Sequence, residues 1–132
     1  QRIGNYVFYG CSRLIGGLTI PNSVTEIGEK AFYNCTGFNG TLTLSNKLET
    51  IGESAFDGCT GFTGSLTLPS SVTTIGKSAF RTCCSFTKLE LPNTLSVIPT
   101  QAFMLCRSLS GELVIPASVT EIGNNAFSDC LN

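Results

Sequence analysis

The sequence contains no histidine, and only 13% of its 132 residues are charged, for a net charge of −1. Without histidine there is no imidazole to activate a serine or cysteine and none to ligate a metal. No stripe of lysine or arginine runs along the chain, which argues against a nucleic-acid partner. No apolar run approaches the length that spans a bilayer, so no membrane insertion is expected of this segment. A glycine-rich phosphate loop is also missing. Neither an initiator methionine nor a signal peptide opens the chain, and neither end carries the polar cap that stacked repeats need. The chain is therefore expected to be a segment of a longer protein, and the missing signal peptide then says nothing of where the whole protein resides.

What is present is repetition. Isoleucine recurs at Ile3, Ile27, Ile51, Ile75, Ile98 and Ile122, in steps of 24, 24, 24, 23 and 24 residues. Phe8, Phe32, Phe56, Phe80, Phe103 and Phe127 keep the same step, as do Cys11, Cys35, Cys59, Cys83, Cys106 and Cys130. A further apolar column, Leu14, Phe38, Phe62, Phe86 and Leu109, follows each of the first five cysteines by three residues. Self-similarity at such a period marks a solenoid, because one repeat cannot bury its own apolar face and stacked copies can. Residues 1–132 read as a single solenoid of about five repeats of 23–24 residues plus a partial N-terminal repeat.

Each repeat divides into three stretches. Leu18-Thr-Ile20, Leu42-Thr-Leu44, Leu66-Thr-Leu68, Leu89-Glu-Leu91 and Leu113-Val-Ile115 alternate in polarity and predict short strands with one buried face. Pro21, Pro69, Pro92 and Pro116 end them, with Ser45 as the exception. The stretch from Val24 to Ile27, and its copies, predicts an extended segment on the opposite wall of the coil. The Ala-Phe stretch that follows is too short for a stable helix and predicts one helical turn. Gly16, Gly40, Gly64 and Gly111 precede the strands, and the fourth repeat lacks its copy; this predicts a dispensable one-residue bulge. The glycine after each isoleucine is once replaced by Pro99, so close packing rather than a left-handed backbone is expected to require it.

Seven cysteines invite a disulfide or metal reading. Zinc ligands converge on one point, whereas six of these form a line one coil apart. Coils about 4.8 Å apart fall within disulfide reach, but parallel side chains suit the required dihedral poorly. Buried thiols acting as small apolar residues are the expectation, with no metal and no cofactor. The phenylalanines fill the two aromatic columns and leave none for a ligand. Tyr6, Tyr9 and Tyr33 fall around the turns, where exposure is expected. The carboxylates, Asp57 among them, are scattered and read as solvated surface. Asn34-Cys-Thr36 and Asn39-Gly-Thr41 match the N-glycosylation pattern.

The outward side of the strands remains as a candidate surface. Thr19, Thr43, Thr67, Glu90 and Val114 should form one row there, and Gly17, Thr41, Ser65, Lys88 and Glu112 another. Threonine suits an exposed strand position in any case. The fourth repeat changes the row's character, with Lys88, Glu90, Arg81 and Arg107 bringing charge to a bland surface. The partner-binding candidates are therefore Thr19, Thr43, Thr67, Lys88, Glu90 and Val114, with no catalytic residue among them.

The pattern L-x-[IL]-P-x-S-V-T-x-I-G-x-x-A-F-x-x-C-x-x-[FL]-x-G resembles the BspA-like leucine-rich repeat family. Leu66 to Gly76 and Ala79 to Cys83 carry it most cleanly. The resemblance covers nearly the whole chain, with Ser45, Pro99 and the missing fourth glycine as departures. It implies a right-handed leucine-rich-repeat coil with a parallel sheet on its concave face. Members are similar to surface or secreted proteins that adhere to host proteins or other cells, and they are not known as enzymes. An extracellular binding module for a protein or glycan is the expectation that follows. A structural spacer, or a fibre component self-associating through uncapped ends, is the alternative. Ice binding through the hydroxyl rows ranks lower because Lys88 and Glu90 interrupt them, and a hydrolase ranks lowest.

Overall fold

A computed structural model describes residues 1–131 as stacked coils with ten short strands and, among the described residues, no helix. None of the described residues belongs to a helix long and apolar enough to cross a membrane. The isoleucine wall holds β1 (Arg2–Ile3), β3 (Glu26–Ile27), β5 (Thr50–Ile51) and β7 (Thr74–Ile75) in one parallel sheet. Its register is Ile3↔Ile27, Ile27↔Ile51 and Ile51↔Ile75, the repeat step itself. β9 (Val97–Ile98) and β10 (Glu121–Ile122) continue the wall as a separate pair. The break has a chemical cause. Gly28, Gly52, Gly76 and Gly123 each donate their N–H to the isoleucine carbonyl of the coil before, and Pro99, in the same column, has no N–H to give to Ile75.

That glycine column is packed backbone to backbone, as expected. A Cβ added at Gly52 would lie 2.6 Å from the carbonyl carbon of Gly28. The one coil with a larger residue there, Pro99, is also the one whose strand leaves the ladder.

The Ala-Phe wall corrects the expected helical turn. In the second coil Ala31, Tyr33 and Cys35 donate three residues back to Gly28, Lys30 and Phe32, giving overlapping β-turns. The intervening amides of Lys30, Phe32 and Asn34 donate sideways to Glu53, Ala55 and Asp57 of the next coil at 2.8–2.9 Å. Half of the wall's hydrogen bonds are thus local and half run between coils, a pattern no helix allows. It requires positive φ at two positions per coil, such as Lys30 (48°) and Asn34 (54°). Ser54, Ser78, Gln101 and Asn125 repeat the first position, and Thr82, Leu105 and Asp129 the second. These non-glycine residues tolerate a strained backbone because the sideways bonds hold it.

The third wall carries the strands of the sequence pattern. β2 (Gly16–Thr19) pairs with β4 (Phe38–Thr43), and β6 (Gly64–Thr67) with β8 (Phe86–Glu90), both parallel. The register shifts after Gly16 and after Gly64, whose φ values are 81° and 73°. The expected one-residue bulge at the glycine is corrected: the extra residues lie on the partner strand, Thr87 of β8 against Gly64–Ser65 and two residues of β4 against Gly16–Leu18. The fifth strand, Leu113-Val-Ile115, does not form: residues 110–116 lie in no strand. Where proline closes a strand its carbonyl accepts a turn bond, as Pro69 does from Val72. Ser45 keeps that turn, with its carbonyl bonded by Leu48 and its own hydroxyl accepting from the N–H of Lys47 at 3.1 Å.

Between the walls lies one continuous core. Phe8, Phe32, Phe56, Phe80, Phe103 and Phe127 stack with centroids 5.0–5.6 Å apart and planes within 12°. Phe38, Phe62 and Phe86 form a second stack at 4.8 and 6.0 Å. The described cysteines carry free thiols, and five of the six in the column do more than fill space. Cys35, Cys59, Cys83, Cys106 and Cys130 donate S–H to Phe8, Phe32, Phe56, Phe80 and Phe103 carbonyls of the preceding coil at 3.0–3.3 Å. Burial pushes the Cys83 and Cys106 thiols up, so they stay protonated and able to donate.

Candidate functional site

The strand wall places the sequence-derived candidates in two groups. Thr19 and Thr43 are direct cross-strand partners on β2 and β4. Thr67 pairs with Glu90, and Ser65 with Lys88, on β6 and β8. The Thr67 hydroxyl donates to Glu90 Oε2 at 2.9 Å, and Lys88 Nζ lies 2.9 Å from Glu90 Oε1. The Lys88 ammonium, followed by the Thr67 hydroxyl, holds the Glu90 carboxyl below its ordinary range. The charge entering the row at the fourth repeat is thus neutralised within the row. Val114 stands apart: it is 65% exposed and belongs to no strand, though it borders a small depression with Lys88, Glu90 and Glu112.

Open depressions run along this wall. One of about 490 Å³ lies between Thr41, Thr43 and Asn46 on one side and Ser65, Thr67 and Pro69 on the other. A second of about 600 Å³ lies over Ser65, Thr87, Lys88 and Glu112. Both depressions are shallow and bordered by hydroxyl groups. No group of three or more potential metal ligands occurs among the described residues.

Two arginines expected on this surface sit elsewhere. Arg81 is on the turn wall, close enough to Asp57 to act on its carboxyl, with its Nε buried and without a hydrogen-bond partner. Arg107 follows Cys106 and lies in none of the strands. Asp57, read from sequence as solvated surface, is 7% exposed. Burial pushes its carboxyl up to about 6 against the opposing pull of Arg81 and Lys30. The sequence carried no signal for this, since the other bulky residues of its column, Tyr9, Tyr33, Arg81 and Met104, are only partly buried or half exposed.

The three tyrosines gather on that same wall. Tyr9 stacks on Tyr33 at 5.0 Å, and the Tyr6 hydroxyl donates to Glu29 at 2.7 Å. Tyr6 and Tyr9 are about half exposed. The aromatic side chains therefore lie either in the core stacks or on the turn wall, and none is exposed on the strand wall, where Phe38 of β4 and Phe86 of β8 point into the core.

Comparison with known proteins agrees with this geometry. The model of the BspA type leucine rich repeat region matches residues 1–132 in six copies. A T. pallidum leucine rich repeat protein is 27% identical with a TM-score of 0.75, over 98% of this chain and 70% of that one. A leucine rich cell surface protein of Faecalibacterium prausnitzii is 31% identical with a TM-score of 0.70, over 98% and 40%. A leucine-rich repeat protein of Eubacterium ventriosum is 29% identical with a TM-score of 0.78, over 96% and 33%. The chain thus spans well under half the length of the last two. None of the curated proteins matches it.

Proposed function

Since the chain belongs to the BspA-type leucine-rich repeat family, we propose that it is a non-enzymatic binding module. Its strand wall meets a macromolecular partner, protein or glycan, outside the cell or at its surface. One observation carries this reading. The strand wall combines in-register exposed side chains with neighbouring open depressions. Stacked parallel strands make that surface broad and rigid, and solenoids use such surfaces for extended contacts. The likeness to a leucine rich cell surface protein supports the location.

The test is a binding screen of the immobilised domain against extracellular-matrix proteins and a glycan array. Thr67→Arg places a long cation in the centre of the wall and should abolish whatever binding is found. Lys77→Glu, exposed on the turn side, should leave it intact. The reverse outcome would assign function to the turn wall. A second reading, end-to-end assembly, draws on the exposed apolar residues of the outer coils, Ile15 at 76% and Ile122 at 50%. Light scattering that rises with concentration would favour it.

A further inference from the structure

The strand wall is not one sheet. β2–β4 and β6–β8 are separate ladders, and β4 and β6 run side by side without a ladder between them, the N–H of Thr63 donating to the Gly40 carbonyl at one end of the seam. The depression of about 490 Å³ straddles this seam. Its rim is Thr41, Thr43 and Asn46 facing Ser65 and Thr67, and its floor is the buried edge of Leu42 and Leu44. We propose that the seam between the second and third coils binds an extended, uncharged stretch of polypeptide. This rests on the reading of the strand wall as the binding surface and names the class of partner.

Three features select that class. The residues lining the seam carry no formal charge; exposed Lys47 follows Asn46 at its rim, and Lys88 and Glu90 on β8 are paired with each other. An ionic ligand would find no counter-ion among the lining residues themselves. The strand wall also has no aromatic face, so the stacking by which aromatic side chains hold flat, partly apolar rings is missing, which disfavours a sugar chain. What the seam does offer is the hydroxyls of Thr41, Thr43 and Ser65, the Thr67 oxygen as an acceptor, the Asn46 amide and an apolar floor. Hydroxyls and amides both donate and accept, matching the alternating N–H and C=O groups of an extended backbone. Small aliphatic side chains on one side of such a peptide would reach Leu42 and Leu44.

The experiment pans a phage-displayed library of random peptides, about twelve residues long, over the immobilised domain, with a glycan array run in parallel. The expected result is a set of peptides poor in charged residues whose affinity is nearly the same in low and high salt. Thr43→Arg should weaken them by about tenfold or more, as truncating or blocking a central contact does. Thr41→Arg should do the same, and Lys77→Glu should change nothing, with circular dichroism confirming that each variant is folded. Failure to select any peptide would overturn the proposal, as would selected peptides that are charged and salt-sensitive or that tolerate both threonine variants. Glycans captured by the wild type and lost in Thr43→Arg would also overturn it, while leaving the strand wall as the binding surface. Peptides lost only in Lys77→Glu would overturn both.

Discussion

Removing the ring of Phe56 tests the stacked core most directly. Phe56 is fully buried, lies 5.1 Å from Phe32 and 5.3 Å from Phe80 with planes within 5°, and meets Phe62 edge-on. A buried Phe→Ala change usually costs about 3–5 kcal/mol, through lost transfer energy and the cavity left behind. Each stacked neighbour adds roughly 0.5–1.5 kcal/mol beyond area, and Phe56 has one on either side. The expected loss is therefore at the top of the range, about 5 kcal/mol. Phe8 is only partly buried and stacks on Phe32 alone, so Phe8→Ala should cost about 2 kcal/mol. Urea unfolding followed by far-UV circular dichroism measures both.

The same variant probes cooperativity. In a solenoid each coil contacts only its neighbours, so a cavity in the third coil weakens the junction between two halves. Tyr6, Tyr9 and Tyr33 all lie in the first two coils and the chain has no tryptophan, so intrinsic fluorescence reports the N-terminal half alone. In wild type the fluorescence and dichroism transitions should coincide. In Phe56→Ala they should separate, the signature of lost two-state behaviour. Equal, small losses for Phe56→Ala and Phe8→Ala, with coincident transitions in both, would refute the stacked-core reasoning.

Thiol labelling should divide the cysteines in two. Cys11, Cys84 and Cys130 are partly exposed and should react in the native state, whereas Cys35, Cys59, Cys83 and Cys106 should react only after unfolding; a native protein labelled at Cys83 would contradict the hydrogen-bonded column. Asp57 should give the fold a pH dependence of definite sign. Its folded value of about 6 lies above the ordinary 3.8, so the folded state binds the proton more tightly and stability falls as pH rises from 3.8 to about 6. Asp57→Asn should remove this slope and gain about 1–3 kcal/mol at neutral pH; thermal melts of both forms at pH values either side of the window check it, and parallel curves would show that the carboxyl is solvated.

Much of the architecture follows from the repeat alone. A period of 24 residues with isoleucine, phenylalanine and cysteine in step dictates which side chains stack on which, because only a coil of constant length brings equal positions into contact. The core membership of Ile51, Phe56, Cys59 and Phe62 and the packed glycine column come from that rule. Where each backbone amide goes does not. The Ala-Phe segment looks locally like a helical turn, yet Phe32 and Phe56 donate sideways to the next coil, and only the neighbour's carbonyl makes the left-handed φ at Lys30 and Ser54 tolerable. Pro99 is visible in sequence as an exception, but its effect, splitting a sheet, exists only because Ile75 waits for a donor from another coil. The same holds for the candidate site. The exposed rows of Thr19, Thr43, Thr67, Lys88 and Glu90 can be read from alternation, since period two determines which face a strand residue takes. The seam between β4 and β6, the mutual neutralisation of Lys88 and Glu90, the missing strand at Val114 and the burial of Asp57 are properties of pairs of coils. A repeat specifies what lies within each coil and in what order the coils stack, whereas hydrogen bonds and charges between coils are settled only when the neighbours meet.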